Sequence, residues 1–153
     1  MSSNEDADQQ LAQRLVDAMM DRDAFSQWLG IKVLAVRPRH AAVGMRVRAE
    51  MVNGFGVAHG GVVYSLADSA LAFAANTHGR VTVAIENSIA YPQAVHVGDE
   101  LVAVAEEESA SSRLAYYRVT VRRGESEIVA LFRGTVYRTK KDFFSGNDAG
   151  VRD

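Results

Sequence analysis

The residue that most demands a chemical explanation is Asp68, which stands among Leu66, Ala67, Ala70, Leu71 and Ala72. Taking an ionised carboxylate into an apolar interior is costly unless it is paired or hydrogen-bonded, and acid–base or nucleophilic work is one reason to carry that cost. The plain alternative is that Asp68 shares a solvated polar stripe with Ser65 and Ser69. Gly60 and Gly61 precede the same apolar run. The first N–H groups of a helix have no partner within it and the macrodipole is positive there, so a developing oxyanion is stabilised. Lacking a Cβ, glycine also lets a carbonyl come close enough to be polarised by a backbone N–H. An ordinary glycine turn into a helix would explain Gly-Gly equally well, though not Asp68. At about 1.5 Å per residue, Gly60 and Asp68 lie roughly 12 Å apart along one helix axis, too far to act on one carbonyl. Two such helices set side by side across a two-fold axis would bring Gly60 of one subunit to Asp68 of the other, giving two equivalent sites.

The run VVYSLADSALAFAANTHG is rich in Ala and Leu until Gly79 offers a C-cap, which predicts a helix of about four turns. Being apolar or small on almost every face, it must be enclosed by other structure. Residues 1–8 lack apolar periodicity and are expected to be disordered, whereas Leu11, Leu15, Ala18, Met19 and Phe25 mark an amphipathic lead-in helix through about Trp28, stopped by Gly30. Ile31 to Arg37 and Ala41 to Arg48 then read as a hairpin turning at Pro38-Arg39-His40. The enclosure comes from four further strand-like runs, near Val81 to Tyr91, Glu100 to Ser109, Leu114 to Arg123 and Glu127 to Thr139, joined by short turns that signal antiparallel pairing. Within the third, Tyr117, Val119 and Val121 alternate with Arg118, Thr120 and Arg122, as in a sheet with one dry face. The expectation is an α+β domain over residues 9–141, a curled antiparallel sheet of about six strands around a central helix, with a flexible tail over 142–153.

With these residues in place, the segment Asn53-Gly54-Phe55-Gly56-Val57-Ala58-His59-Gly60-Gly61, followed after four residues by Leu66-Ala67-Asp68, resembles the signature of hot-dog-fold acyl-CoA thioesterases. Ala130-Leu131-Phe132-Arg133-Gly134 is similar to the last long strand of the phenylacetate-degradation branch, and the likeness spans roughly residues 10–140. The resemblance implies hydrolysis of an acyl-CoA, with an aryl-acetyl or hydroxyphenylacetyl group, by Asp68 as base or nucleophile and the Gly60 N–H as carbonyl polariser. It gives Asn53 the task of positioning thioester or water and makes His59 chiefly a loop-orienting residue beside Gly61. Sites shared between subunits are also implied, so a homodimer is required and a homotetramer expected. Some relatives carry a serine on the strand after the helix. The equivalent position here is Ala84, and strand parity would put Ser88 with Ala84 and Thr82 on one face. Arg122, Arg123, Arg133, Arg138, Lys140 and Lys141 give the last two strands a basic character that could grip the phosphates of coenzyme A, Arg133 among them, or form a solvated sheet face.

Composition narrows the remaining classes. The 153 residues suffice for one core without staples, and zero cysteines rule out disulfides, thiolate metal sites and cysteine nucleophiles. Lys plus Arg at 17 against Asp plus Glu at 19 gives no general field for nucleic acid or anionic membrane. The opening MSSNEDADQQ is acidic where a secretory signal would be basic, pointing to the cytoplasm, and no apolar run reaches the roughly 18 to 20 residues of a membrane span. His40, His78 and His96 show no metal spacing, so neither metal nor cofactor is expected. Two alternatives remain. A hot-dog hydratase or dehydratase on acyl-CoA would pair a histidine with an acid, often after a proline-rich helix entry, but Pro38 and Pro92 are the only prolines and neither is near the helix. A non-catalytic acyl-CoA-binding module would keep the fold without the reaction.

Overall fold

A computed structural model describes residues 2–145. The first helix, α1 (Ser3–Arg22), begins within the segment expected to be disordered. The correction has a local cause, a reciprocal capping box: the Glu5 N–H donates to Ser2 Oγ at 3.3 Å and the Ser2 N–H donates to the Glu5 carboxylate at 2.9 Å. The lead-in helix is also two helices, because Asp23 ends α1 and caps α2 (Ala24–Leu29), its Oδ1 accepting from the Ser26 N–H at 2.9 Å. Gly30, at φ 76, then turns the chain into the sheet in the left-handed conformation glycine tolerates.

Strands β1 (Lys32–Arg37) and β2 (His40–Arg46) form the expected hairpin. A short 3-10 turn, Ala49–Met51, and an irregular loop lead to the central helix α3 (Gly60–Ala75). It ends before Gly79, at Asn76, whose Nδ2 donates to Ala72 O at 2.8 Å and Thr82 O at 3.0 Å while its Oδ1 accepts from the Thr82 N–H at 2.9 Å. That buried amide ties the helix end to the next strand. The remaining strands are β3 (Arg80–Ala90), β4 (Glu100–Ala110), β5 (Leu114–Arg123) and β6 (Glu127–Asp142). The expected flexible tail, 142–153, lies outside the described residues from 146 onward, and Asp142 itself closes β6.

All pairings are antiparallel, and the spatial order is β1-β2-β4-β5-β6-β3, so the strand that follows the helix lies at the far edge. This curled six-stranded sheet wraps α3, as the hot-dog expectation requires. Val63, Leu66, Leu71 and Phe73 of the helix are buried against Val43, Ala103, Tyr117, Val119 and Phe132 of the concave face. Full burial of each of Leu66 and Leu71 contributes about 1.5–3 kcal/mol. Alternation in β5 holds for Tyr117, Val119 and Val121, but Thr120, expected on the wet face, is also covered, flanked across the ladder by Val104 and Leu131. Among the described residues no helix is long and apolar enough to cross a membrane.

Candidate active site

The loop before α3 is built by its own backbone. Val52 bridges Ala58, the Asn53 N–H donates to Val57 O at 2.8 Å, and Asn53 Oδ1 accepts from the Phe55 N–H at 2.9 Å. The Asn53 side chain thus spends its oxygen on an Asx turn. Its Nδ2 meets no acceptor among the described residues and remains a donor. His59 caps the helix: its Nδ1 accepts from the Gly61 N–H at 2.9 Å, and its backbone O accepts from the Val62 N–H at 2.9 Å. The ring therefore orients the loop by accepting from a backbone N–H. With Nδ1 an acceptor, the proton of the neutral imidazole sits on Nε2.

Ahead of these two capped N–H groups, that of Gly60 finds no acceptor among the described residues, at the positive end of a 16-residue helix. The Gly60 carbonyl accepts from the Tyr91 hydroxyl at 2.8 Å, and a Cβ built on Gly60 would lie 3.2 Å from that same phenol. A side chain at residue 60 would therefore crowd the Tyr91 ring and push it by a few tenths of an ångström.

Two turns on, Asp68 is half-buried. Burial pushes its carboxyl above the ordinary value near 3.8, the Asp23 carboxylate pushes it further, and a hydrogen bond from Asn87 opposes both. Asn87 Nδ2 donates to Asp68 Oδ1 at 3.3 Å and to the Tyr64 hydroxyl at 2.9 Å. Tyr64 precedes Asp68 by one helical turn on the same face, with its ring edge-on to Phe132 at 5.3 Å. The two serines of the solvated-stripe alternative are both bonded within the protein. Ser65 Oγ donates back to Gly61 O at 2.7 Å on the exposed side, and buried Ser69 shares a hydrogen with Ser26 at 2.8 Å, so Ser69 does not continue a wet stripe past Asp68.

The expected neighbours of Asp68 on β3 are not those parity suggested. A bulge between Ala84 and Glu86 shifts the alternation, so that Asn87 and Ile89 face the helix side and Ser88 faces away. Thr82 is buried at the other end of α3, its Oγ1 donating to Arg80 O at 3.1 Å. Arg133 sits between Phe132 and Gly134, which face the helix, and so projects from the opposite face of the sheet. It is 73% exposed and pairs with Glu108 at 3.4 Å. Within one chain the structure brings Asn53, His59, Gly60 and Gly61 together at the start of α3, and keeps Asp68 farther along it and Arg133 behind the sheet. Of the other basic residues on these strands, Arg123 is paired with Asp99 and Glu127, and Arg138 with Glu107. Sequence reasoning missed Tyr64, Asn87 and Tyr91. The four-residue spacing from Asp68 could have found Tyr64, whereas nothing local announced the bulge that turns Asn87 inward.

Comparison with known proteins bears on this arrangement. The model of the thioesterase superfamily matches residues 55–130. The acyl-coenzyme A thioesterase PaaI of Escherichia coli is 36% identical over 121 residues, covering 79% of this chain and 86% of that protein. The structure of the PaaI protein from the E. coli phenylacetic acid degradation operon superposes with a TM-score of 0.85 at 33% identity, over 88% of this chain and 97% of that one. A variant of the phenylacetic acid degradation protein PaaI from Thermus thermophilus superposes with a TM-score of 0.74 at 44% identity, over 76% of this chain and 100% of that one.

Proposed function

This chain belongs to the thioesterase superfamily, in its hot-dog, PaaI-like branch, and from that premise we propose that it hydrolyses acyl-CoA thioesters with Asp68 as base or nucleophile. The observation that carries the reading is the state of Asp68: a half-buried carboxyl whose affinity for its proton is raised, bonded among the described residues only by a neutral amide. A carboxylate so placed is a stronger base than one in water, and water or a thioester carbonyl beside it would be activated or attacked.

The polarising donor is the Gly60 N–H, the backbone donor of the helix's first turn that is left without an acceptor among the described residues. Asn53 Nδ2 is the second donor to the thioester or water, and His59, by capping Gly61, fixes the direction in which the loop presents both. Because Gly60 and Asp68 are separated by about 12 Å along one helix, the reading requires Gly60 of the partner subunit. The position of β3 supports this: as an edge strand of 11 residues it offers unpaired N–H and C=O groups to which a second copy's sheet can add. The acyl group proposed is aryl-acetyl or hydroxyphenylacetyl, on the strength of the PaaI relatives alone.

Free-thiol release measured over phenylacetyl-CoA, hydroxyphenylacetyl-CoA and straight-chain acyl-CoA esters tests the proposal. Release with the wild type and a loss of about 100- to 10,000-fold in Asp68→Asn is the expected result. Unchanged release in the variant removes Asp68 from the mechanism, and a preference for straight chains removes the aryl assignment.

A further inference from the structure

Asn87 is brought to the helix side of the sheet by the bulge between Ala84 and Glu86, and the mechanism above gives it no task. Its amide nitrogen spans two side chains one helical turn apart, donating to the Tyr64 hydroxyl at 2.9 Å and to Asp68 Oδ1 at 3.3 Å. Both amide hydrogens are thereby used. Its oxygen is buried and meets no donor among the described residues. In the ladder Asn87 lies opposite Gly134, where a built Cβ would stand 2.8 Å from that oxygen and 2.5 Å from Leu71 Cδ2. A side chain at 134 would therefore displace the amide.

Reversing the amide would not satisfy it better. The nitrogen would then face Leu71 and Gly134 with no acceptor, and the oxygen would oppose the Asp68 carboxylate. As a packing element the residue is a poor choice, since a buried polar atom without a partner destabilises the fold and an apolar side chain of similar size would not. What the amide provides is its two donated bonds.

We propose that Asn87 is the positioning residue of this site, holding the Asp68 carboxylate and the Tyr64 hydroxyl in a single arrangement through its amide N–H groups. The proposal rests on the reading of Asp68 as base or nucleophile. With Oδ1 of Asp68 held by Asn87, Oδ2 is the oxygen presented to substrate. With the Tyr64 oxygen accepting from Asn87, its phenolic hydrogen is not spent on the amide. The groups acting on Asp68 are Asn87 from β3 and Asp23 from the junction of α1 and α2, while Tyr64, one turn back on the same helix, meets it only through the shared Asn87 amide. Burial and Asp23 disfavour the carboxylate, and Asn87 supplies the bond that opposes them. Losing it leaves Asp68 protonated to higher pH.

The test is the dependence of kcat/KM on pH, with phenylacetyl-CoA, for the full chain and its Asn87→Leu and Asn87→Ser variants, together with thermal melts at fixed protein concentration. Asn87→Leu is expected to melt at or above the wild type, to lose about tenfold in kcat, the worth of one hydrogen bond to a charged group, and to move the acid limb to higher pH. Asn87→Ser adds no bulk, cannot bridge both partners, and should move the limb the same way even where leucine fails to fold. An acid limb unmoved in a folded variant, with only the melting temperature lowered, makes Asn87 a packing residue and overturns the proposal. Asp68→Asn separates the two layers: if it keeps the wild-type rate, the reading of Asp68 falls, whereas if it is dead and the Asn87 variants keep the wild-type limb, only the role of Asn87 falls.

Discussion

Replacing Gly134 by alanine is the smallest change that should perturb both the core and the site. A Cβ at this position would stand 2.5 Å from Leu71 Cδ2 and 2.8 Å from Asn87 Oδ1, against an ordinary contact distance of about 3.5–4.0 Å. Leu71 is fully buried and cannot swing into solvent, and Asn87 is pinned by its two bonds, so neither neighbour yields cheaply. Overpacking of this kind costs about 1–3 kcal/mol, and two simultaneous collisions favour the upper end. Alanine in a strand recovers about 0.5–1 kcal/mol relative to glycine, which leaves a net loss of about 2 kcal/mol. For a chain of this length that is a fall of about 4–8 °C in Tm, measured at fixed protein concentration because assembly feeds into apparent stability. Gly54→Ala is the control, with nothing within 4 Å of its Cβ, and should stay within about 0.5 kcal/mol of the wild type. A Gly134→Ala variant melting at or above the wild type would refute the reasoning, because it would mean that Leu71 and Asn87 are not held where the packing puts them.

Three further outcomes follow from individual contacts. Burial, with the Glu107 carboxylate against it, pushes the Tyr117 hydroxyl up, and that hydroxyl donates to Glu107 at 3.0 Å; Tyr117→Phe should cost about 1–3 kcal/mol in denaturant titration. Tyr91→Phe removes the donor to the Gly60 carbonyl and should lower kcat/KM by about 2- to 10-fold with little change in Tm, and an equal fall in Tm would mark a structural bond only. Asp68 holds its proton more tightly when folded, so between 3.8 and its raised value the native chain carries more protons than the unfolded one, and stability declines as pH rises through that window. Asp68→Asn should therefore melt above the wild type at pH 7, with the gap closing as the pH is lowered below 3.8, and equal melts at both ends would contradict the burial cost.

Much of the frame could be read along the chain because its causes are local. The Ala- and Leu-rich run specified an enclosed helix by its lack of any polar face, and alternation in Tyr117, Val119 and Val121 specified a sheet with a dry side. The pairing of an acid inside that helix with glycines at its start was equally visible as type and spacing. Other features depend on partners distant in sequence. Strand order puts β3 beside β6 instead of beside its neighbours in the chain, which is why the strand after the helix became the sheet's free edge. One extra residue between Ala84 and Glu86 reversed the parity that pointed to Ser88 and turned Asn87 toward Asp68. Arg133, one of several arginines along a basic stretch of sequence, went to the convex face because Phe132 and Gly134 took the concave one. By itself the sequence determined which chemistry was present and on which elements, since propensity and periodicity act over a few residues. Only the tertiary structure decided which side chains meet, because register, bulges and strand order are set by the packing of the whole sheet around one helix.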